Sequence, residues 1–141
     1  MSSEPTRLTV EDANAVLATQ PFNAQVGARC TALVRGEAEL EIDVDERHKQ
    51  QHGTVHGGVL AYAVDNALAM AGGSVLGPRV VTAGFSVNFV RAARGGVLRA
   101  RAVVLHASSR QAVCSAELRA FGADGSVELC AVAQGTIAAI R

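Results

Sequence analysis

HGTVHGGVLAYAVDNALAMAGG, residues His52 to Gly73, joins a glycine-rich opening to a long apolar run. From Val59 to Ala71 every residue is apolar or aromatic except Asp65 and Asn66. A helix that is apolar on all sides belongs in a core, so the stretch reads as a buried central helix. A carboxylate inside it needs a reason, because an unpaired ionised carboxylate is expensive to take out of water. Asp65 is therefore paired, hydrogen-bonded, proton-shifted or placed in a site that uses it.

The flanking sequence supplies elements to cover that helix. Thr9 to Thr19 carries a Thr three residues before Asp12 and apolar positions at helical spacing, which predicts a short amphipathic helix ending before Pro21. Val26 to Val34 and Glu37 to Asp45 read as strands joined by a hairpin turn at Arg35-Gly36. The second alternates: Ala38, Leu40, Ile42 and Val44 share one face, with five acids on the other, solvated side. The polar loop Glu46 to Thr54 leads into the central helix, whose end is marked by Gly72-Gly73 and then Gly77-Pro78. Four more strands are expected, at Val80 to Val90, Val97 to Ala107, Gln111 to Phe121 and Val127 to Ile140, and their short links imply antiparallel neighbours. Strict alternation in the first places Val81, Ala83, Phe85, Val87 and Phe89 opposite Thr82, Gly84, Ser86 and Asn88. The expected architecture is α+β, a curved antiparallel sheet wrapped around a long central helix. One helix covers one sheet face, which leaves an edge or face for a second subunit.

With 141 residues the chain fits a single domain, 1–141, of which 1–20 form an N-terminal helical segment. Charged residues make up 18%, below the roughly 25% of ordinary soluble domains, which points to an oligomer. Thirteen basic residues balance thirteen acidic ones, so the broad positive field of a nucleic-acid binder is absent. Cys30, Cys114 and Cys130 stand far apart in apolar or alternating runs and read as small core residues. The opening MSSEPTRLTVED has no basic start followed by an apolar stretch, and no segment is read as reaching the roughly 20 apolar residues of a membrane span. The expectation is a cytoplasmic protein with no membrane and no nucleic-acid partner.

Gly57-Gly58 stands where the loop enters the helix. Free amides at a helix start, with the positive end of its dipole, attract an oxygen carrying negative charge, so an oxyanion hole is one reading and a tight turn the other. Asp65 follows Gly57 by eight positions, roughly 12 Å along a helix axis at about 1.5 Å per residue. One carbonyl cannot touch both within a chain, so a shared role requires two subunits; otherwise Asp65 joins a buried hydrogen-bond network. Asn66 reads as structural. His48, His52 and His56 recur every four residues, but Gly53 and β-branched Thr54 and Val55 interrupt any helix there, and no carboxylate or thiol fits as a further ligand. No metal is expected; His56 holds the turn, His52 lines the site, and His106 is an ordinary partly buried strand residue.

From about Pro21 to Ile140 the chain resembles the hotdog-fold acyl-coenzyme A thioesterases, especially the branch containing phenylacetyl-CoA and 4-hydroxybenzoyl-CoA thioesterases. The resemblance rests on His56-Gly57-Gly58 with a carboxylate nine residues after the His, met by Asp65, and on Phe85 to Arg91, similar to the family's third strand. It implies that Gly57 supplies the oxyanion-binding amide, that Asp65 is nucleophile or general base, and that Gln50 orients the thioester or water where Asn is commoner. His52, His56, Gly58, Ala69, Phe85 and Asn88 join them as substrate-binding candidates. Arg91, Ser109 and Arg110, with Arg94, are candidates for the nucleotide end of coenzyme A. Some relatives carry Thr or Ser at the position of Ala69, so a water-positioning hydroxyl must come from elsewhere or be absent. The family fold implies homodimers with shared active sites, in many members paired into tetramers. No cofactor is implied beyond the coenzyme A of the substrate. The implied activity is hydrolysis of an aromatic or medium-chain acyl-CoA; a non-hydrolytic acyl-CoA binder and a hotdog hydratase or dehydratase are the alternatives.

Overall fold

The computed structural model describes residues 7–140, so the first six residues of the N-terminal segment and Arg141 lie outside it. Helix α1 spans Val10–Thr19. The Thr9 hydroxyl accepts the Asp12 N–H at 3.1 Å and the Asp12 carboxylate accepts the Thr9 N–H at 2.9 Å, the reciprocal pair that starts a helix. The chain leaves α1 through Gln20, whose extended backbone is what a residue before proline adopts.

The strand expected from Val26 begins later. Asn23–Val26 forms a single helical turn, α2, closed by Gly27 at φ 77°. The Asn23 side chain fastens it by accepting the Ala28 N–H at 2.9 Å and donating to the Ala28 carbonyl at 3.0 Å. Such side-chain bonding to nearby backbone competes with a strand ladder. Strand β1 therefore spans Arg29–Val34, and β2 spans Glu37–Asp43. Ala38, Leu40 and Ile42 are buried as expected. The acids opposite are ion-paired across strands: Arg29 meets Glu41 and Asp43, Arg99 meets Glu41, and Arg101 meets Glu37.

The central helix α3 spans Gly57–Leu76, longer than its glycines suggest. Gly72 and Gly73 are inside it, and the stop is Gly77 at φ 107°. A Cβ on Gly72 would lie 2.7 Å from Ile137 Cβ, so this glycine is a point of close helix-to-sheet approach rather than a terminator. Gly72→Val is expected to cost about 3 kcal/mol through overpacking and to lower Tm by about 10 °C in a thermal melt.

The remaining strands are β3 (Val80–Phe89), β4 (Val97–Ala107), β5 (Gln111–Phe121) and β6 (Val127–Ala139). All pair antiparallel in the order β1-β2-β4-β5-β6-β3, and α3 packs against all six, which is the hotdog arrangement. Short links do make neighbours of β4, β5 and β6, but β3 crosses over to lie beside β6. The helix faces a wall of small side chains, including Ala100, Ala102, Ala112, Ala116, Ala131 and all three cysteines, each buried. Burial pushes the Cys114 thiol up to about 11. By length and composition α3 would pass for a membrane-crossing helix, contrary to the sequence reading; the sheet encloses it as the core helix.

The two sheet edges differ. Asn14 of α1 covers β1 by accepting the Cys30 N–H at 2.8 Å and donating to the Cys30 carbonyl at 3.0 Å. Edge strand β3, ten residues long, has no such cover among the described residues, and Val81 and Phe89 are each 52% exposed.

Candidate active site

His56 caps α3, and its Nδ1 accepts the Gly58 N–H at 2.8 Å. That spends the Gly58 amide, which was expected to face substrate. The Gly57 N–H has no acceptor among the described residues and is the one left to receive an oxyanion. The ring of Phe89, near the end of β3, lies over this turn: a Cβ on Gly57 would stand 3.4 Å from Phe89 Cζ.

Asp65 is half-buried rather than enclosed. Tyr62, Asp65, Asn66 and Ala69 form the helix face that borders a cleft of about 410 Å³, completed by Gln20, Val80, Val81 and Thr82. The Thr82 hydroxyl donates to Asp65 Oδ1 at 2.7 Å. Strict alternation puts Thr82 on the wrong face. A bulge between Thr82 and Gly84 shifts the register, so Thr82, Phe85, Val87 and Phe89 pair with Ile137, Gly135, Ala133 and Ala131, the inward-facing positions of β6. The hydroxyl that meets Asp65 thus comes from β3, not from position 69. An isolated glycine in a strand pattern is the signal for such a bulge, and Gly84 carried it. Asn88 pairs with Val132 on the face turned away from α3, whereas Phe85 stays on the helix side.

Gln50 is held within its own loop, where Nε2 donates to the Thr54 hydroxyl and Oε1 accepts the His52 N–H. One N–H of its amide remains uncommitted among the described residues. The His52 side chain is exposed and makes no hydrogen bond among them. His48 is buried, its Nδ1 accepting the Asp45 N–H at 3.0 Å and its Nε2 donating to the Val26 carbonyl at 2.8 Å, so the backbone occupies both ring nitrogens. Among the described residues no three His, Cys, Asp or Glu side chains cluster as a metal site. His106 is exposed, against expectation, because β4 bulges between Val104 and His106.

The nucleotide candidates do not converge. Arg91 follows the end of β3 and pairs with Glu128 at 3.0 Å. Ser109 and Arg110 lie in the β4–β5 turn, where the Arg110 carbonyl accepts the Ala139 N–H beside the start of β3. Ten strand residues, roughly 30 Å, separate the two groups within one chain.

A six-stranded antiparallel sheet around one helix, with a free amide at the helix start and a carboxylate at its middle, defines a hotdog-fold thioester hydrolase. The Thioesterase superfamily model matches residues 52–124, and the chain belongs to that family. It is similar in structure to a thioesterase family protein from Silicibacter pomeroyi, with TM-score 0.85 and 32% identity over 91% of this chain and 95% of that one. A thioesterase from Haemophilus influenzae gives TM-score 0.83 and 25% identity over 96% of this chain and 93% of that one. The phenylacetic acid degradation protein PaaI from Thermus thermophilus gives TM-score 0.73 and 31% identity over 86% of this chain and all of that one.

Proposed function

We propose that the protein is a homodimeric acyl-CoA thioesterase of the branch containing phenylacetyl-CoA and 4-hydroxybenzoyl-CoA thioesterases, with each active site shared between subunits. The observation that carries the shared site is the placement of its two halves along β3. Gly57 lies against Phe89 at one end of that strand, and Asp65 is bonded to Thr82 at the other. If two uncovered β3 edges pair antiparallel, each strand's end meets the other's start. Gly57 then meets Asp65 of the partner subunit, and twofold symmetry makes a second site. With Thr82 opposite Phe89, the axis passes between Phe85 and Ser86. The similarity to a phenylacetic acid degradation protein supports an aromatic acyl group.

In the proposed reaction the thioester oxygen takes the Gly57 N–H, and the uncommitted amide hydrogen of Gln50 assists. Asp65 of the partner subunit removes a proton from water, whose oxygen adds to the thioester carbon; collapse expels the coenzyme A thiolate, which takes up the proton. Direct attack by Asp65 through an anhydride is the other route the same geometry permits. Thr82 holds Oδ1 and leaves Oδ2 for either, so it is a positioning residue. The reaction as drawn calls on no metal or redox cofactor. His56 Nδ1 accepts from Gly58 and so leaves the ring proton on Nε2, which weighs against a hydratase using that His as its base.

Release of free thiol from phenylacetyl-, 4-hydroxybenzoyl- and hexanoyl-CoA tests the reading. Thiol release is expected, and Thr82→Val is expected to lower kcat about tenfold, the worth of one hydrogen bond to a charged group. No release from any of the three overturns it.

A further inference from the structure

The cleft beside Asp65 has one wall that neither the central helix nor the sheet supplies. Among the described residues its lining comes from α3 and β3, with the exception of Gln20, which stands in the link between α1 and α2. On one side β3 bounds the cleft at Thr82, which is bonded to Asp65. On the other side of the same helix face Gln20 bounds it, beside Tyr62 and Asn66. Asp65 and Asn66 are successive helix residues, about 100° apart around the axis, so one leans toward each wall.

The backbone of Gln20 is pinned. It is extended because Pro21 follows, its N–H donates to the Leu17 carbonyl at 3.2 Å, and its carbonyl accepts the Asn23 N–H at 3.0 Å. Leu17 is buried and Asn14 is bonded to Cys30, so α1 anchors the link to the core. The side chain is held as well. Asn23 Oδ1 takes the Ala28 N–H at 2.9 Å, which leaves the single Tyr62 hydroxyl proton for Gln20 Oε1 at 3.0 Å. Phe22 packs edge-on against the Tyr62 ring, with centroids 5.1 Å apart. Gln20 Nε2 reaches Asn66 Oδ1 only at 3.5 Å, so the Tyr62 bond is the principal hold.

We infer that Gln20 is a specificity-determining residue that sets the breadth of the acyl group, and that Tyr62 is the positioning residue that holds it in place. Both roles rest on the thioesterase reading above. An acyl group whose carbonyl stands at Asp65 lies on the face of α3 between β3 and Gln20. The β3 wall is fixed by its ladder with β6, whereas the opposite wall is one side chain, so breadth is decided on the Gln20 side. Ala69, on the helix face between them, is too small to set a limit of its own.

The test is kcat/KM for thiol release by the full chain on phenylacetyl-CoA and the broader 1-naphthylacetyl-CoA, with hexanoyl- and decanoyl-CoA as a pair that differs in length at constant breadth. Gln20→Ala is expected to raise the naphthylacetyl-to-phenylacetyl ratio about tenfold, since each carbon group admitted to apolar contact is worth about fourfold, and to shift the decanoyl-to-hexanoyl ratio by less than about twofold. Tyr62→Phe keeps the ring against Phe22 and removes the hydroxyl that holds Oε1. It is expected to raise the naphthylacetyl ratio about threefold alone and to add nothing in the Gln20→Ala chain, because its effect passes through Gln20. A general loss of fold lowers all four rates together and leaves both ratios in place. A naphthylacetyl ratio unmoved by Gln20→Ala overturns the role of Gln20 while the thioesterase reading stands, as does an equal rise in the decanoyl ratio or a Gln20→Ala chain that hydrolyses only the straight-chain pair. A Tyr62→Phe effect of equal size in both backgrounds overturns the positioning role. No release from any of the four substrates overturns the thioesterase reading and both roles with it.

Discussion

Asp65→Asn is expected to lower kcat for thiol release by about a thousandfold, within the range a positioned acid or base contributes. Thr82 donates to Oδ1, so an Asn at this position keeps its carbonyl oxygen toward Thr82 and turns its NH2 to the cleft. The free acceptor that water or the thioester would meet is replaced by a donor that can neither take a proton nor attack. Size and half-burial are conserved, so the melting temperature is expected to stay within a few degrees, which separates lost chemistry from lost fold. Retention of more than a tenth of wild-type kcat would show that Asp65 is not the reactive group. The same site also separates the two routes: single turnover in oxygen-labelled water places label in the Asp65 carboxylate only when an anhydride forms there.

The features legible in the sequence were those with a local cause. The box between Thr9 and Asp12, the alternation of β2, the bounds of β4 and β5 and the glycine pair at the start of α3 each follow from contacts within a few residues. What was not legible depends on distant partners. Gly72 looks like a helix stop until Ile137 is brought against it. Thr82 looks outward until a bulge, set by pairing with β6, turns it inward. Asn23 takes Val26 out of β1 by binding Ala28, an interaction that apolar periodicity does not register. Ala67 is fully buried under the sheet while Ala69 borders the cleft, because the cleft face of α3 is chosen by where β3 ends the sheet. Arg91 and Arg110 look equivalent in sequence, and only strand direction places them at opposite ends of β3. Gly57 and Asp65 are an intermediate case. Their separation could be counted along the helix, but the reason for the proposed meeting across subunits needed the strand that each contacts.

That reason predicts complementation between two inactive variants. Gly57→Pro deletes the proposed oxyanion donor while suiting the helix: proline is favoured at the first helical position, and His56 already has the extended backbone, ψ 135°, that a residue before proline requires. The added carbons meet the ring of Phe89, which is 52% exposed and free to shift. Loss of one oxyanion donor is expected to lower kcat by about a hundredfold to a thousandfold. Mixed in equal amounts with exchange of subunits, Asp65→Asn and Gly57→Pro chains form sites from independent halves. A site is whole when its Gly57 comes from the Asp65→Asn chain and its Asp65 from the Gly57→Pro chain, so about one quarter of wild-type activity returns from two nearly inactive parents. Were both groups to act within one chain, mixing would restore nothing. The reciprocal experiment reads the same geometry from the other side: wild type mixed equally with the double variant keeps about one quarter of full activity when sites are shared, against about one half when each chain carries its own. Pairing in dimers or in pairs of dimers leaves these fractions unchanged, so they report the site's composition independently of the size of the assembly.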